Sequence, residues 1–395
     1  MTCDNTAALE RDKAPLAPSG DRVEQGNLLT LYLLSLISGI SLGLFNPLAS
    51  TYLKESGVAD LLIGVNSTLF FLMVALGASV VTRLQHYGLG LRQIIILGLA
   101  LTGVSALIFP LGSDLSYWFV IRGMMGIGVS LYMVGGTTLL NQHAPAHRRA
   151  AVNGIYCLAF AVGFGMGPLA GTQLYALSPT LAFTFGSSVV LVGAILVRMG
   201  LPELATSRSE EAKISVWRKI SRPLAAIFAY GFAEATLVSI YPLFLLESGS
   251  TIPQQGYVFG IFVLGSLIFT LPITTGGDRW GRQRVLGGSI LCGAIALTGL
   301  ISQSGLTSTM LGAAFVAGAA LGAVYPLAMS LVGEALSAEA LPSGMSLFTF
   351  CFGAGCVAGP VTSALVVQHV GMEYLFAPTL ALLLGAMAFS LINRK

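Results

Sequence analysis

The sequence predicts an all-α membrane protein: twelve transmembrane helices in two pseudo-symmetric six-helix bundles. Three observations predict it. The composition is too apolar for water, spanning-length apolar runs recur along the chain, and the two halves repeat each other. The 395 residues are 55% hydrophobic and 9% charged, with a mean hydropathy of +0.82. Soluble domains carry roughly a quarter charged residues. Glycine, at 48 residues, is enriched as in closely packed membrane helices.

Residues 1–27 are polar, with Pro15, Pro18 and mixed charges. They read as a disordered cytoplasmic tail, since no basic patch leads into a short apolar run and a cleavage site. Span 1 follows at 28–53, longer than the roughly 20 residues a bilayer requires. Span 2 (61–82) stops at Arg83, and span 3 (93–112) starts beside Arg92. Span 4 (115–140) contains Arg122, span 5 (150–175) is glycine-rich, and span 6 (180–200) ends around Arg198. A polar cytoplasmic linker occupies 201–222. Span 7 (223–246) contains Glu234, and spans 8 and 9 (255–276, 285–302) flank a basic loop. Spans 10, 11 and 12 cover 306–333, 341–368 and 371–391. The runs are continuous, which excludes a barrel of alternating strands, and they have no polar face for a soluble helical core.

The basic residues test this count independently. With a cytoplasmic amino terminus, 18 of the 20 Lys and Arg fall on the cytoplasmic side. Only Lys54 falls opposite and only Arg122 lies inside a span. The positive-inside rule therefore supports twelve spans with both termini cytoplasmic. The net charge of +3 is spread along the chain, so no nucleic-acid partner is expected. Cys3, Cys157, Cys292, Cys351 and Cys356 form no CxxC pair, so neither a disulfide framework nor a metal site is implied. No P-loop appears, no cofactor is expected, and no nucleophile, base and orienting group converge as in an enzyme.

The repeat has an offset of roughly 192 to 196 residues. Asn46-Pro47-Leu48 and Glu55-Ser56-Gly57 in the first half match Tyr241-Pro242-Leu243 and Glu247-Ser248-Gly249 in the second. Gly163, Gly167, Pro168 and Gly171 of span 5 match Gly355, Gly359, Pro360 and Ser363 of span 11. The division is then a bundle at 28–200 and another at 223–395, able to rock about a site near the membrane midplane.

Between spans 8 and 9, Gly277-Asp278-Arg279-Trp280-Gly281-Arg282 resembles the cytoplasmic loop signature of the major facilitator superfamily, a resemblance covering residue 28 onward. Thr274 and Gln283 depart from that signature, and Gln85 replaces its aspartate in the first-half loop. The resemblance makes Asp278, Arg279, Gly281 and Arg282 a gating loop, in which Asp278 can meet Arg282 or a helix amino terminus. Arg122-Gly123-Met124-Met125-Gly126-Ile127-Gly128 is similar to a family pattern whose arginine serves substrate or proton coupling. Its second-half counterpart is expected at Gly318. The Gly163/Gly167/Pro168/Gly171 pattern resembles the family's antiporter signature. Close packing explains it equally well, for it and for Gly126, Gly128, Gly359 and Pro360, because small residues let helices approach.

The resemblance implies a secondary transporter working by alternating access, with proton-coupled export of a small organic molecule as the expected function and proton symport as the alternative. A non-transporting receptor on the same fold is a further, less favoured alternative, since such proteins usually add a sizeable soluble domain. Glu234 is the deep acid of span 7. Poor solvation penalises its charged form, which suits proton coupling, binding of a cationic or hydrogen-bonding substrate, or a hydrogen-bonded packing role. Arg122, costly in hydrocarbon by at least about 2.5 kcal/mol, should face a cavity or a partner, and Glu234 is one candidate. Asn46, Tyr32, Tyr132, Tyr241 and Tyr325 are candidate cavity residues with polar tips. The expected partners are a small substrate, protons and the bilayer, for a monomer in a bacterial inner membrane.

Overall fold

The structure, a computed structural model, describes residues 19–143, 149–202, 217–301, 306–337 and 340–392. The first half forms α1 (Ser19–Glu55), α2 (Asp60–His86), α3 (Leu91–Ile108), α4 (Leu115–His143), α5 (Arg149–Leu177) and α6 (Pro179–Gly200). The second half forms α7 (Trp217–Ser239), α8 (Tyr241–Glu247), α9 (Ile252–Trp280), α10 (Arg282–Ile301), α11 (Ser308–Gly322), α12 (Val324–Ala335), α13 (Leu341–His369) and α14 (Ala377–Ile392). Among the described residues, twelve helical stretches are long and apolar enough to cross a bilayer. Exposed side chains such as Leu76, Val120, Ile195, Leu271 and Ile295 give them the apolar exterior that lipid requires.

Two kinds of difference from the hydropathy reading have physical causes. Helix α1 begins at Ser19 and α7 at Trp217, because polar residues can continue a helix past the apolar run that predicts it. Residues 1–18 of the predicted tail and 203–216 of the predicted linker lie outside the described residues. Span 7 is broken between α7 and α8, and span 10 between α11 and α12. Pro242 and Pro326 lie just beyond these breaks. Each lacks the N–H that would bond the carbonyl four residues earlier, and its ring crowds that carbonyl.

The halves repeat in three dimensions. Helix α1 packs on α5 as α7 packs on α13. Both seams require backbone to meet backbone without intervening side chains. A Cβ on Gly167 would stand 2.7 Å from the Ile40 carbonyl oxygen, and one on Gly359 would stand 2.6 Å from that of Phe232. Gly163 and Gly39 meet the carbonyls of Leu36 and Phe160, while Gly355 and Gly231 meet those of Phe228 and Phe352. The shift is 192 residues throughout, from Gly39 to Gly231, Gly163 to Gly355 and Gly167 to Gly359.

Gly126 faces the Phe70 carbonyl and Gly318 the Phe262 carbonyl, again 192 residues apart. Gly318 is thus the counterpart of Gly126, which corrects the sequence expectation; Ala314 corresponds to Arg122. Gly128 packs on Gly98, and Gly171 packs on Leu44. Gly359→Ala is expected to cost about 1 kcal/mol by forcing α7 and α13 apart. The thermal unfolding midpoint of the purified protein reads this, and an unchanged midpoint would show that their separation is not limiting.

The bundles join along two matching seams, α5 against α9 and α2 against α13. Gly256 nestles against the Pro168 carbonyl, and Gly64 against that of Pro360. At the second seam the Thr68 hydroxyl donates to the Val357 carbonyl at 2.9 Å and accepts from the Val361 amide at 3.2 Å. It therefore bridges one backbone turn of α13 beside Pro360.

Toward the face opposite the predicted cytoplasmic one, Thr51 donates to the Gln255 side-chain oxygen at 3.2 Å. There Lys54 also bridges Asp60 of its own bundle at 2.6 Å and Glu247 of the other at 2.7 Å. Matching helix ends place these last residues. Gly57 and Gly249 take φ of +80° and +84°, the left-handed region that closes a helix most readily at glycine.

Candidate functional site

Arg122, on α4, is 0% exposed and enclosed by groups of the first bundle. Its Nε donates to Asn66 Oδ1 at 3.2 Å and its Nη2 to Asn46 Oδ1 at 3.0 Å. Its guanidinium carbon lies 4.4 Å from the centroid of the Phe70 ring. Asn46 is aimed in turn, since its Nδ2 donates to the Leu42 carbonyl one turn earlier on α1 at 3.1 Å. Hydrogen bonds to a charged group contribute about 1.5–3 kcal/mol each, and a desolvated cation–π contact about 2. Together they offset the expense of an arginine at this depth. The Nη1 of Arg122 and the Nδ2 of Asn66 have no hydrogen-bond partner among the described residues.

Glu234 sits in the other bundle, on α7, and is half-buried. Tyr230, one turn earlier, donates its hydroxyl to the Glu234 carboxylate. The i, i+4 spacing puts both on one helix face. Rings from two further helices extend this face. Tyr230 stacks on Phe352 of α13 with centroids 6.0 Å apart, and Tyr325 of α12 lies 6.4 Å from Tyr230. Tyr325 also meets Phe348 and Phe352 edge-on at 5.2 and 5.6 Å. Besides Tyr230, the titratable neighbours within electrostatic reach of Glu234 are Tyr325 and Cys356. Tyr325 in turn lies within electrostatic reach of Cys157 on α5, and α7 itself packs on α1 and α2 of the first bundle.

Arg122 and Glu234 do not meet. Among the described residues, Arg122 takes its partners from α1 and α2 and Glu234 makes no ion pair. Of the expected cavity residues, Tyr325 joins Glu234 while Asn46 joins Arg122. Tyr132 is fully buried and donates to Ser41 at 3.1 Å. Tyr241 is fully buried among Phe244, Phe259 and Phe376, with its hydroxyl donated to the Leu300 carbonyl. Tyr32 is half-buried on α1. His143 bonds the Leu139 carbonyl, and His147 lies outside the described residues.

In the loop between α9 and α10, Arg282 donates to Asp278 through Nε at 3.0 Å and Nη2 at 2.8 Å, and pairs with Glu334 of α12 at 2.7 Å. Gly281, at φ +90°, makes the turn. Arg279 occupies the last turn of α9.

Sequence reasoning missed Asn66, Phe70, Tyr230, Phe348 and Phe352. Two of these had a readable signal: Asn66 is a lone amide in an apolar run, and Tyr230 precedes Glu234 by one turn. An apolar groove of about 370 Å³ on another face of α7, lined by Leu224, Phe228, Cys351 and Phe389 among others, has no charged lining residue. The thiol of Cys351 is its one titratable group, and no carboxyl or imidazole lines it.

A Bacillus subtilis (strain 168) protein described as the uncharacterized MFS-type transporter YfkF is 28% identical over 358 residues, covering 88% of this chain and 90% of its own. A Yersinia pestis (strain Pestoides F) protein described as an uncharacterized MFS-type transporter is 24% identical over 362 residues, with coverages of 86% and 89%. Among solved structures, the nucleoside transporter NupG superposes with a TM-score of 0.76 at 14% identity, covering 93% of this chain and all of its own. A bacterial homolog to the human lysosomal transporter Spinster, inward-facing and unoccupied, gives 0.73 at 14% identity, with coverages of 93% and 96%. These two likenesses show the fold alone. The family model described as Major Facilitator Superfamily matches residues 31–225 and again 223–395. Matched twice over nearly its whole length, in line with its two repeated bundles, the chain belongs to the Major Facilitator Superfamily and has the fold of a secondary transporter.

Proposed function

We propose that this protein exports a small organic molecule in exchange for protons, as a monomer in a bacterial inner membrane with both termini cytoplasmic. The observation that carries the reading is Glu234. It is a half-buried carboxyl on a face bordering the other bundle, held by a tyrosine and neutralised by no cation among the described residues. A group so placed can exchange a proton with whichever side the cavity opens toward. The seams around Gly64, Gly256, Pro168 and Pro360 suit bundles that rock as units. The Lys54–Glu247 pair and the Thr51–Gln255 bond suit a state closed away from the cytoplasm. Arg122 serves as the hub of the first bundle, and the Asp278–Arg282–Glu334 cluster as the brace of the cytoplasmic loop.

The test uses proteoliposomes and a compound found by thermal shift over a metabolite and drug library. With the vesicle interior made acidic, protons leave and the compound is expected to accumulate inside. Accumulation only when the exterior is acidic would establish symport instead. Accumulation insensitive to the gradient would remove protons from the mechanism.

A further inference from the structure

The immediate surroundings of Glu234 are one-sided in charge and rich in rings. One carboxyl accepts from Tyr230 and lies within electrostatic reach of Tyr325; these rings pack with Phe352 and the fully buried Phe348, with centroids 5.2 to 6.4 Å apart in the contacting pairs. Tyr230 and Phe352 are nearly parallel at 25°, and Tyr325 stands at 65° and 90° to them. The wall therefore presents ring surface in two directions. Glu234, Tyr230, Tyr325 and Phe352 are each partly exposed, so a solute can touch them. No ion pair among the described residues occupies the carboxylate, and Arg122 is committed elsewhere.

Ring faces carry negative potential and attract cations, most strongly where water is excluded. A carboxylate beside them adds charge attraction of the same sense. An anion would meet repulsion from both. A small inorganic cation would have to give up its hydration to reach apolar walls.

We infer that Glu234 with the Tyr230–Tyr325–Phe352 wall, backed by the buried Phe348, binds monovalent organic cations of apolar or aromatic bulk, the quaternary ammonium and phosphonium class. This rests on reading Glu234 as the acid of the transport cavity, and it names the substrate class of that site. One carboxylate that takes either a proton or such a cation also makes the two compete.

The experiment compares two ions of equal size and shape but opposite charge, tetraphenylphosphonium and tetraphenylborate, each added separately to the purified full-length protein. Tetraphenylphosphonium is expected to raise the unfolding temperature saturably, and tetraphenylborate to leave it unmoved. Glu234→Gln is expected to weaken tetraphenylphosphonium at least tenfold. Tyr325→Leu, which keeps apolar bulk but loses the ring, should also weaken it, while Tyr325→Phe keeps wild-type affinity. An equal response to both ions, no response to the cation, or wild-type affinity in Glu234→Gln would overturn the inference. Its fate is separable from that of proton coupling. Charge-selective binding that follows Glu234 without gradient-driven flux in vesicles would sink coupling and keep the cation site. Gradient-driven flux without charge preference would do the reverse.

Discussion

Replacing Glu234 by glutamine is expected to abolish gradient-driven transport while the protein still folds and reaches the membrane. Glutamine keeps the shape of glutamate and an oxygen that can accept the Tyr230 hydroxyl, so packing between α7, α12 and α13 should survive. It removes the one proton-exchanging carboxyl on this wall. Flux in proteoliposomes under an imposed pH difference should fall to the level of protein-free vesicles, with an unfolding midpoint close to wild type. Full activity in the variant would remove Glu234 from the mechanism. A collapsed midpoint would assign it to packing instead.

Asn46→Leu is expected to destabilise the first bundle by about 1.5–3 kcal/mol, the magnitude of one hydrogen bond to a charged group. Leucine leaves the Nη2 of a fully buried guanidinium without its acceptor, in surroundings where water does not replace it. Asn66→Leu should act similarly through Nε. The penalty should largely disappear in a second background. In Arg122→Met no buried charge remains, so Asn46→Leu should then cost little. The double-mutant cycle read by thermal unfolding should show clear coupling between the two positions. Additive effects would mean that Asn46 does not stabilise the arginine.

How far the sequence could be read depended on the kind of constraint involved. Lipid demands that each spanning segment be apolar and satisfy its own backbone, a demand met residue by residue within one segment. The twelve spans and the repeat of Gly163-x3-Gly167-Pro168 in Gly355-x3-Gly359-Pro360 were therefore legible, as were the isolated acid and base. The breaks at Ile240 and Ala323 were signalled by Pro242 and Pro326 but were read as continuous spans. A proline in a membrane helix can bend it, break it, or be absorbed by neighbours, as Pro168 and Pro360 are within unbroken helices.

The sequence by itself determined the membrane class, the span count, the duplication, and the presence of Glu234 and Arg122 within spans. Only the tertiary structure decided that Arg122 closes on Asn46, Asn66 and Phe70, that Glu234 meets Tyr230 and a ring wall from α12 and α13, and that Lys54 reaches Glu247. The reason is rotational. A helix that is apolar on every side has no amphipathic stripe to fix how it turns about its axis. Which side chains face one another is then settled by where glycines let backbones touch, a property of pairs of helices far apart in the chain.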